Sequence, residues 1–241
     1  MKIFRHTHTS SRYDRSAQSL EAALDNYMKD ADLITLTEVA SPTRSDKIKE
    51  KGWGGIWANH GGGDDSAIAW RQSEFELVYA DSTPLTNGRL AGSRTNIYAA
   101  RAVLEHVSGA RLVVSSVHLP ASVEGRGGFK KAQRYAVWKV CQVALRLKTN
   151  ALARRFNADA VMIVADWNIN IKMSWVQAWF KTNFPTYRLT WQKPFPSRGT
   201  HGRRIIDLTL IGGALKTVKK PWLLKKDSSS DHVAYSEVLG F

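Results

Sequence analysis

The sequence has few of the features that stabilise small secreted proteins or anchor membrane proteins. Its 241 residues include a single cysteine, Cys141, so the chain cannot form an intramolecular disulfide. Cys141 lies in the apolar stretch VWKVCQVAL, which favours a place in the core over a catalytic thiol. No window approaches the roughly 20 apolar residues of a membrane span, and the N-terminus has no apolar stretch typical of a signal peptide. We therefore expect a soluble, cytoplasmic or otherwise intracellular protein with no membrane association.

Acidic residues are scarce relative to basic ones. The chain has 21 Asp and Glu against 35 Lys and Arg, which gives a formal net charge of +14 and a pI near 10.0. Such a surface attracts polyanions, and nucleic acid is the partner that it favours. A soluble cationic protein without a polyanionic partner is the alternative. The sequence does not indicate a protein partner, and we expect a monomer.

The composition supports one folded domain over residues 1–241. Hydrophobic residues make up 43% of the chain, which is ample for a large core. We see no repeat, low-complexity tract or linker that would divide the chain. Apolar runs with β-type composition predict strands in MKIF, ADLITLTEV, SAIAWR, FELVYA, NIYAARAVLEHV, RLVVSSVHL, AVMIVADW, YRLTWQ, IIDLTLIG and VAYSEVLGF.

Three segments have the spacing of amphipathic helices: SAQSLEAALDNYMKD, the stretch from Phe129 to about Lys148, and SWVQAWFKTNF. The pairs Asn87-Gly88 and Ser108-Gly109 have the turn chemistry of antiparallel hairpins. A purely parallel sheet therefore does not fit. We predict an α/β (α+β) fold, a four-layered α/β/β/α sandwich of two packed, mixed and largely antiparallel sheets with outer helices.

Polar residues stand at the ends of several predicted strands. Glu38 follows ADLITLT, His118 follows RLVVSSV, Asp166 and Asn168 end AVMIVADWN, Asp207 lies in RRIIDLTLI, and Asp231-His232 closes the segment SSDH. An ionised carboxylate that is buried without a partner costs several kcal/mol or more, so these side chains should converge on a shared cation or on one another. The pattern predicts a hydrolytic site.

The order of these motifs resembles the endonuclease/exonuclease/phosphatase superfamily, whose members include deoxyribonuclease I and exonuclease III. The resemblance covers nearly the whole chain, from MKI to SSDH. The matching segments are ADLITLTE, VSSVH, ADWN, RIID and SDH, with Thr37 where the superfamily usually has glutamine. Each short match is weak by itself, whereas five in the superfamily's order are specific.

Phosphodiester cleavage needs a cation, a base and help for the leaving oxygen. Glu38 is the first predicted metal ligand and Asp231 a second or water-mediated one, because Mg²⁺ or the alternative Mn²⁺ prefers carboxylate oxygens. His232 is the predicted general base, since imidazole titrates near neutrality. The resemblance assigns Asp207 as the carboxylate that orients His232. His118 would donate a proton to the leaving oxygen or a hydrogen bond to the phosphate.

Asp166 and Asn168 complete the predicted catalytic set. Because residues two apart on an extended segment share a face, both could hold the scissile phosphate, the attacking water or a second metal ion. Taken singly, Asp166 could instead cap the following helix, Asn168 could make a turn, and His118 could be a buried structural histidine.

Two departures from the superfamily pattern affect the site. The asparagine that usually ends the first strand is replaced by Thr7, and either this hydroxyl or His8 would take over the metal or water contact. The proline common soon after the terminal histidine is also missing. A histidine at position 118 favours the deoxyribonuclease I-like and phosphatase branches over abasic-site endonucleases, in which tyrosine is common there.

The resemblance and the charge together predict a low-specificity DNA endonuclease that leaves 5′-phosphate and 3′-hydroxyl ends, with DNA favoured over RNA. Arg101, Arg126 and Arg203 are candidate phosphate contacts. One alternative is a phosphatase or phospholipase that uses the same site on small or lipid phosphoesters. A second is a non-catalytic nucleic-acid-binding module with a degenerate site.

Tryptophans could serve either the core or nucleic acid. Trp53, Trp57, Trp175, Trp179 and Trp191 could stack on bases of a single strand. Their apolar neighbours make packing in the core the better interpretation. The glycine-rich segment 61–65 lacks the lysine and helix of a phosphate-binding loop, so we interpret it as a hairpin connection.

Overall fold

A computed structural model describes residues 3–10, 25–38, 51–58, 66–86, 96–121, 123, 129–224 and 232–241, without the side chains of Ser10 and residues 129–131. Its strands are β1 Ile3–Ser10, β2 Leu33–Thr37, β3 Trp53–Ala58, β4 Ser66–Arg71, β5 Phe75–Thr86, β6 Ile97–His106, β7 Arg111–His118, β8 Ala160–Asp166, β9 Tyr187–Leu189, β10 Asp207–Gly213, β11 Lys216–Leu223 and β12 Tyr235–Gly240. Its two long helices are α1 Phe129–Arg155 and α2 Ser174–Asn183, and residues 25–28 are also helical.

The strands form two six-stranded sheets. The first sheet has the order β11-β12-β1-β2-β4-β3, and the second has the order β5-β6-β7-β8-β10-β9. Only β1 with β2 and β7 with β8 pair in parallel among the described strands, and the remaining pairs are antiparallel. The predicted pair of mixed, largely antiparallel sheets is therefore confirmed.

Helical segments cover the outer faces of both sheets. On the second sheet, Trp138 and Cys141 of α1 and Phe180 of α2 lie in one buried cluster with residues of β8 and β10. On the first sheet, Tyr27 and Met28 pack against residues of β2 and β4. Apolar side chains of both sheets fill the layer between them. These layers form the predicted four-layered sandwich, with Cys141 in the core.

The strand order sets where the polar strand ends lie. Helix α1 connects the parallel neighbours β7 and β8, so both strands end at the same edge of the second sheet. Strand β10 runs antiparallel to β8 and begins at that edge, where Asp207 is the register partner of Asp166. Asp166 is in turn the register partner of His118. One edge of the sheet thus presents three of the predicted catalytic residues side by side.

Several elements differ from the sequence-based prediction. Strand β11 was not predicted, because its sequence KTVKKPWL alternates poorly and its side chains are largely exposed at the edge of the first sheet. Strand β5 and helix α1 extend well beyond FELVYA and Lys148. The predicted turn at Ser108-Gly109 is confirmed, since Gly109 has φ +84° and connects β6 to β7. The Asn87-Gly88 turn and segment 61–65 lie outside the described residues. The assignment of residues 1–241 to one domain stays a prediction.

Within the described part of the chain, no helix combines the length and apolarity needed to cross a lipid bilayer.

Candidate active site

His232 and Asp207 form a buried pair at the centre of the site. Asp207 Oδ2 accepts a hydrogen bond from His232 Nδ1 at 2.8 Å, which leaves Nε2 on the opposite side of the ring. The loop before β10 holds both residues through Thr200. The amide of Asp207 donates to Thr200 Oγ1 at 3.2 Å, and the amide of Val233 donates to the Thr200 carbonyl at 2.6 Å. The predicted partnership of His232 with Asp207 is present in the geometry.

The remaining predicted side chains gather around Asp166. His232 Nε2 lies 3.9 Å from Asp166 Oδ2. His118 Nε2 lies 3.6 Å from the same oxygen and 3.5 Å from Glu38 Oε1. Glu38 follows β2 and His232 precedes β12, both strands of the first sheet, whereas His118 and Asp166 end β7 and β8 of the second sheet. The site therefore lies between the two sheets, as the strand-end pattern predicted.

The pKa values of the two buried aspartates are shifted in opposite directions. Burial raises the pKa of Asp166 well above its ordinary value, and the negative charge of Asp207 raises it further. Burial would also raise the pKa of Asp207, but the charge and hydrogen bonds of His232 and His8 outweigh it and hold this pKa far below the ordinary value. Asp207 is therefore the permanent anion of the pair, and Asp166 takes a negative charge readily only beside a cation.

Asp166 and Asn168 reach the site through a tight turn. The amide of Asn168 donates to Asp166 Oδ1 at 2.9 Å, and its Nδ2 donates to the Leu119 carbonyl at 2.8 Å. Asn168 has φ +53°, a conformation that asparagine tolerates better than most residues. This turn, rather than strand alternation, brings the two polar side chains to the same place. Asp166 does not cap α2, whose N-cap residue is Met173.

Glu38 also has a left-handed backbone, with φ +61°. A residue other than glycine in this region costs about 1–2 kcal/mol, and such strain is concentrated at functional sites. The conformation directs the side chain from the end of β2 toward His118. Two of the three non-glycine residues with positive φ in the described part of the chain thus belong to the site.

The donor set fits a hard divalent cation. Asp166, Asp207 and His232 offer ligand atoms that lie within 4.8 Å of one another. Glu38 adds a carboxylate next to this group through their shared neighbour His118. Carboxylate oxygens are the ligands that Mg²⁺ and Mn²⁺ prefer. Asp231, the other predicted ligand, lies outside the described residues.

The structure separates the two candidates for the missing asparagine. Thr7 Oγ1 lies 3.1 Å from Ser236 Oγ. Thr7 alternates along β1 with His6 and His8, which face the layer between the sheets, so its side chain points to the other face. The suggestion that Thr7 replaces the asparagine is therefore wrong. His8 Nε2 lies 3.4 Å from Asp207 Oδ1, so His8 is the β1 residue that reaches the site.

The three predicted arginine contacts have different positions. Arg101 lies within β6, is only 8% exposed, and forms an ion pair with Asp81 and a hydrogen bond to the Lys148 carbonyl. Its guanidinium is occupied in the protein interior, which removes Arg101 from the candidate phosphate contacts. Arg126 lies outside the described residues. Arg203 is exposed in the loop that precedes β10.

The loop before β10 contains site residues that the sequence analysis missed. His201 and Arg204 pair across a tight turn, and the His201 ring lies 4.8 Å from the His232 ring. Lys172 holds this loop by donating to the carbonyls of Pro196 and Arg203 at 2.6 and 2.7 Å. The only available signal was the run THGRR directly before the RIID match. It could have indicated a basic turn beside the site.

The tryptophans divide between the two interpretations. Trp53 and Trp191 are buried, as predicted for core residues, and Trp57 and Trp179 pack partly buried against core clusters. Trp175 is 44% exposed at the start of α2, so core packing was the wrong prediction for this residue.

The fold is shared with solved structures of known proteins. Its two packed sheets match those of endonuclease/exonuclease/phosphatase proteins, so the predicted resemblance is confirmed at the level of the fold. No protein-family model and no curated protein matches the sequence.

Three solved structures show the similarity. An endonuclease/exonuclease/phosphatase from Bacteroides vulgatus has 12% identity and a TM-score of 0.75, with 100% of this chain and 99% of that chain covered. ANGEL2, a 2′,3′-cyclic phosphatase, has 12% identity and a TM-score of 0.75, with 98% and 95% covered. D. rerio TDP2, complexed with a single-strand DNA product, has 12% identity and a TM-score of 0.69, with both chains fully covered at 100%. At these identities the similarity concerns the fold.

Proposed function

We propose that the protein is a divalent-metal-dependent phosphodiesterase that cleaves nucleic acid, with DNA favoured as the substrate. The observation that carries this proposal is the His232–Asp207 pair at 2.8 Å, with Asp166, His118 and Glu38 gathered at its open side. A buried histidine that donates from one ring nitrogen to an anionic carboxylate is oriented for proton transfer through its other ring nitrogen.

In the proposed reaction His232 is the general base. Asp207 accepts a hydrogen bond from His232 Nδ1–H and stabilises the imidazolium that forms when Nε2 takes a proton from the attacking water. This nitrogen lies 3.9 Å from Asp166 Oδ2, so a water that is hydrogen-bonded to both groups would lie beside them, within reach of the base. The low pKa of Asp207 keeps this residue ionised throughout, so the proton stays on His232 until it exchanges with solvent.

The other residues orient the phosphate and the leaving group. His118 Nε2 lies between Glu38 and Asp166, where its N–H donates to a non-bridging or leaving oxygen. Asn168 donates through Nδ2 to the Leu119 carbonyl, which fixes the orientation of its side chain. The amide oxygen of Asn168 takes no part in that bond. Glu38 and Asp166, with Asp231 as a further candidate, would hold the metal ion. When bound, Mg²⁺ or Mn²⁺ offsets the charge that develops on the phosphoryl oxygens.

The charge distribution supports a polymeric substrate. The formal net charge is +14, and helix α1 carries many lysines and arginines but no acidic residue. The loop that brings the His201 ring to 4.8 Å from the His232 ring also carries Arg203 and Arg204. Each phosphate contact adds to affinity through counterion release, so this surface favours a long polyanion over a small phosphoester.

A phosphatase for small phosphoesters is the second candidate. It is supported by the fold similarity to ANGEL2, a 2′,3′-cyclic phosphatase, because the same fold carries that chemistry. The two candidates differ in the salt dependence of binding. A nuclease loses affinity steeply as salt rises, and a small-substrate phosphatase does not.

Nicking of supercoiled plasmid DNA tests the proposal. We expect nicking with Mg²⁺ or Mn²⁺, its loss with EDTA, and its loss in His232→Ala. Parallel reactions with single-stranded DNA, RNA and a 2′,3′-cyclic nucleotide assign the substrate class. Binding of DNA without cleavage under any metal would instead identify the protein as a nucleic-acid-binding module and would sink the enzyme proposal.

The role of Arg203 is tested by the salt dependence of DNA binding. Loss of one phosphate contact lowers the slope of log K against log salt by about 1. We expect this change for Arg203→Ala. Arg154 is an equally exposed arginine at the end of α1 that leads away from the site, so Arg154→Ala is the matched control and should keep the wild-type slope.

A further inference from the structure

Five buried polar residues form a continuous line that ends at Asp207. Glu237 Oε1 lies 2.8 Å from His6 Nδ1, and His6 Nε2 lies 2.9 Å from Thr35 Oγ1. Thr35 Oγ1 lies 2.8 Å from His8 Nδ1, and His8 Nε2 lies 3.4 Å from Asp207 Oδ1. We call Glu237, His6, Thr35, His8 and Asp207 the buried polar line. It links β12, β1, β2 and β10 across the layer between the two sheets.

These side chains occupy positions where apolar residues would be expected. Glu237, His6, Thr35 and His8 are all 0% exposed, and none of them is needed for the proposed proton transfer at His232. Burying two histidines and a carboxylate costs free energy unless each is hydrogen-bonded, and an apolar core of the same shape is often at least as stable. A role at the site accounts for these residues better than stability does.

We propose that His8 is the residue that positions Asp207 for catalysis, and that Glu237, His6 and Thr35 determine which nitrogen of His8 carries the proton. In this arrangement His8 Nε2–H donates to Asp207 Oδ1, so the carboxylate is held at both oxygens and presents Oδ2 to His232. His8 therefore acts through Asp207 and touches neither the substrate nor the attacking water.

The hydrogen-bond donors of the line fix its direction. For His8 to donate from Nε2, its Nδ1 must accept the Thr35 hydroxyl proton, and Thr35 must then accept from His6 Nε2–H. A neutral His6 with its proton on Nε2 has a lone pair on Nδ1 facing Glu237. The contact between Glu237 and His6 therefore needs one further proton, held on either of these two residues. Burial lowers the pKa of His8, which agrees with a neutral ring that has a single N–H.

The proposal rests on the proposed function for its kinetic test, and two amide substitutions at position 8 provide that test. The amide nitrogen of glutamine reaches the place of Nε2, whereas that of asparagine reaches only the place of Nδ1. We expect His8→Gln to keep kcat within about fivefold of wild type. His8→Asn should lower kcat by about 10- to 100-fold, the range for residues that orient a catalytic group, with KM nearly unchanged. Equal kcat values in the two folded variants would overturn the proposal.

Position 237 provides an independent kinetic test, far from the substrate. Glu237→Gln supplies an amide N–H to His6 Nδ1 and keeps the direction of the line, so kcat should stay close to wild type. Glu237→Leu removes the partner and should lower kcat about tenfold without a matching change in KM. A Leu variant with wild-type kcat would show that the line does not act on Asp207.

Nitrogen-15 NMR of the histidine rings in the metal-free protein gives a readout that does not depend on activity. We expect the Nε2–H tautomer for His8 in wild type and in Glu237→Gln, and a loss of this preference in Glu237→Leu. An Nδ1–H tautomer of His8 in wild type would contradict the proposal even if the substitutions at position 8 fail to fold. If no phosphodiester is cleaved but the NMR result is as expected, the proposed function fails and the buried polar line stands.

Discussion

Asp166 and Asp207 are direct register partners across the antiparallel strands β8 and β10, and the pKa values of their carboxyl groups are shifted in opposite directions. Asp207 has histidines at both of its oxygens, whereas Asp166 faces the negative charge of Asp207. Asp207 is therefore the ionised partner that orients His232, whereas burial beside Asp207 disfavours the ionised form of Asp166. Both side chains are equally buried, so the difference between their pKa values follows from the groups that neighbour each carboxylate.

The raised pKa of Asp166 predicts a stability effect of Asp166→Asn in the metal-free protein. A carboxyl group whose pKa is higher in the folded than in the unfolded protein destabilises the fold as pH rises. The loss of stability begins near the unfolded pKa of about 3.9 and is complete above the folded-state pKa. The asparagine variant lacks this penalty, so at pH 8 its free energy of unfolding should exceed that of wild type by about 1–3 kcal/mol. Urea denaturation at pH 4 and pH 8 measures the difference, which should shrink at the lower pH.

The same pair of proteins reports on the metal. Mg²⁺ or Mn²⁺ should raise the melting temperature of wild type and leave that of Asp166→Asn nearly unchanged, because binding to the native state stabilises it by mass action. A variant that is less stable than wild type at pH 8, or that responds to metal as strongly, would show that Asp166 is not a cation-dependent carboxylate.

The depressed pKa of Asp207 predicts the opposite pH dependence of stability. Its contribution is fully present above the unfolded pKa near 3.9 and is lost as pH falls through the lower folded value. Asp207→Asn should therefore be less stable than wild type at pH 7, by about 2 kcal/mol or more, because it leaves two buried histidines without their anion. The difference should narrow under strongly acid conditions, as followed by circular dichroism.

His232 and Asp207 should behave as one unit in catalysis. We expect His232→Ala to lower kcat by about 10²- to 10⁴-fold, the usual contribution of general-base catalysis. Asp207→Asn should have a comparable effect, and the double variant should be hardly slower than His232→Ala alone. Single-turnover rates at saturating substrate measure this, and additive losses would argue against a shared role.

Arg101 should matter for stability and not for turnover. Arg101→Met leaves Asp81 without its cation and should cost about 2 kcal/mol, less than for a fully buried pair because the Asp81 side chain is 25% exposed. Combining it with Asp81→Asn should recover part of this loss. Thermal denaturation measures the coupling, and kcat/KM should stay at the wild-type value in both variants.

Trp167 connects the core to the two polar residues that flank it in sequence. Its indole N–H donates to the Leu208 carbonyl at 3.1 Å, and its own carbonyl accepts from Trp138 at 2.7 Å. Trp167→Phe removes the first bond and part of the packing, so we expect a loss of about 1–3 kcal/mol in unfolding free energy together with reduced turnover. The exposed Trp175 offers the same substitution as a control, with a change within about 0.5 kcal/mol.

Much of the site could be predicted from the sequence because its chemistry lies at strand ends. An apolar run followed by a polar residue identifies both the strand and the place where its side chain leaves the core, as at Glu38, His118 and Asp166. The turn residues Ser108-Gly109 between β6 and β7 likewise predict a hairpin. These signals are local, so the sequence alone was enough to predict most of the strands, their polar ends and the class of fold, but not the exposed edge strand β11.

Only the tertiary structure decided which neighbouring side chains face the site. A shift of one residue moves a strand's side chain to the other face, so Thr7 and His8 could not be told apart until the register of β1 with β2 and β12 was known. The roles of Arg101 and His201 could not be predicted for the same reason, because they follow from contacts with residues distant in sequence. The sequence by itself specified a basic two-sheet sandwich with acids and histidines at its strand ends. The packing of the two sheets against each other decided which groups contact each buried carboxylate. In a low-dielectric layer these few contacts determine whether a carboxylate is ionised.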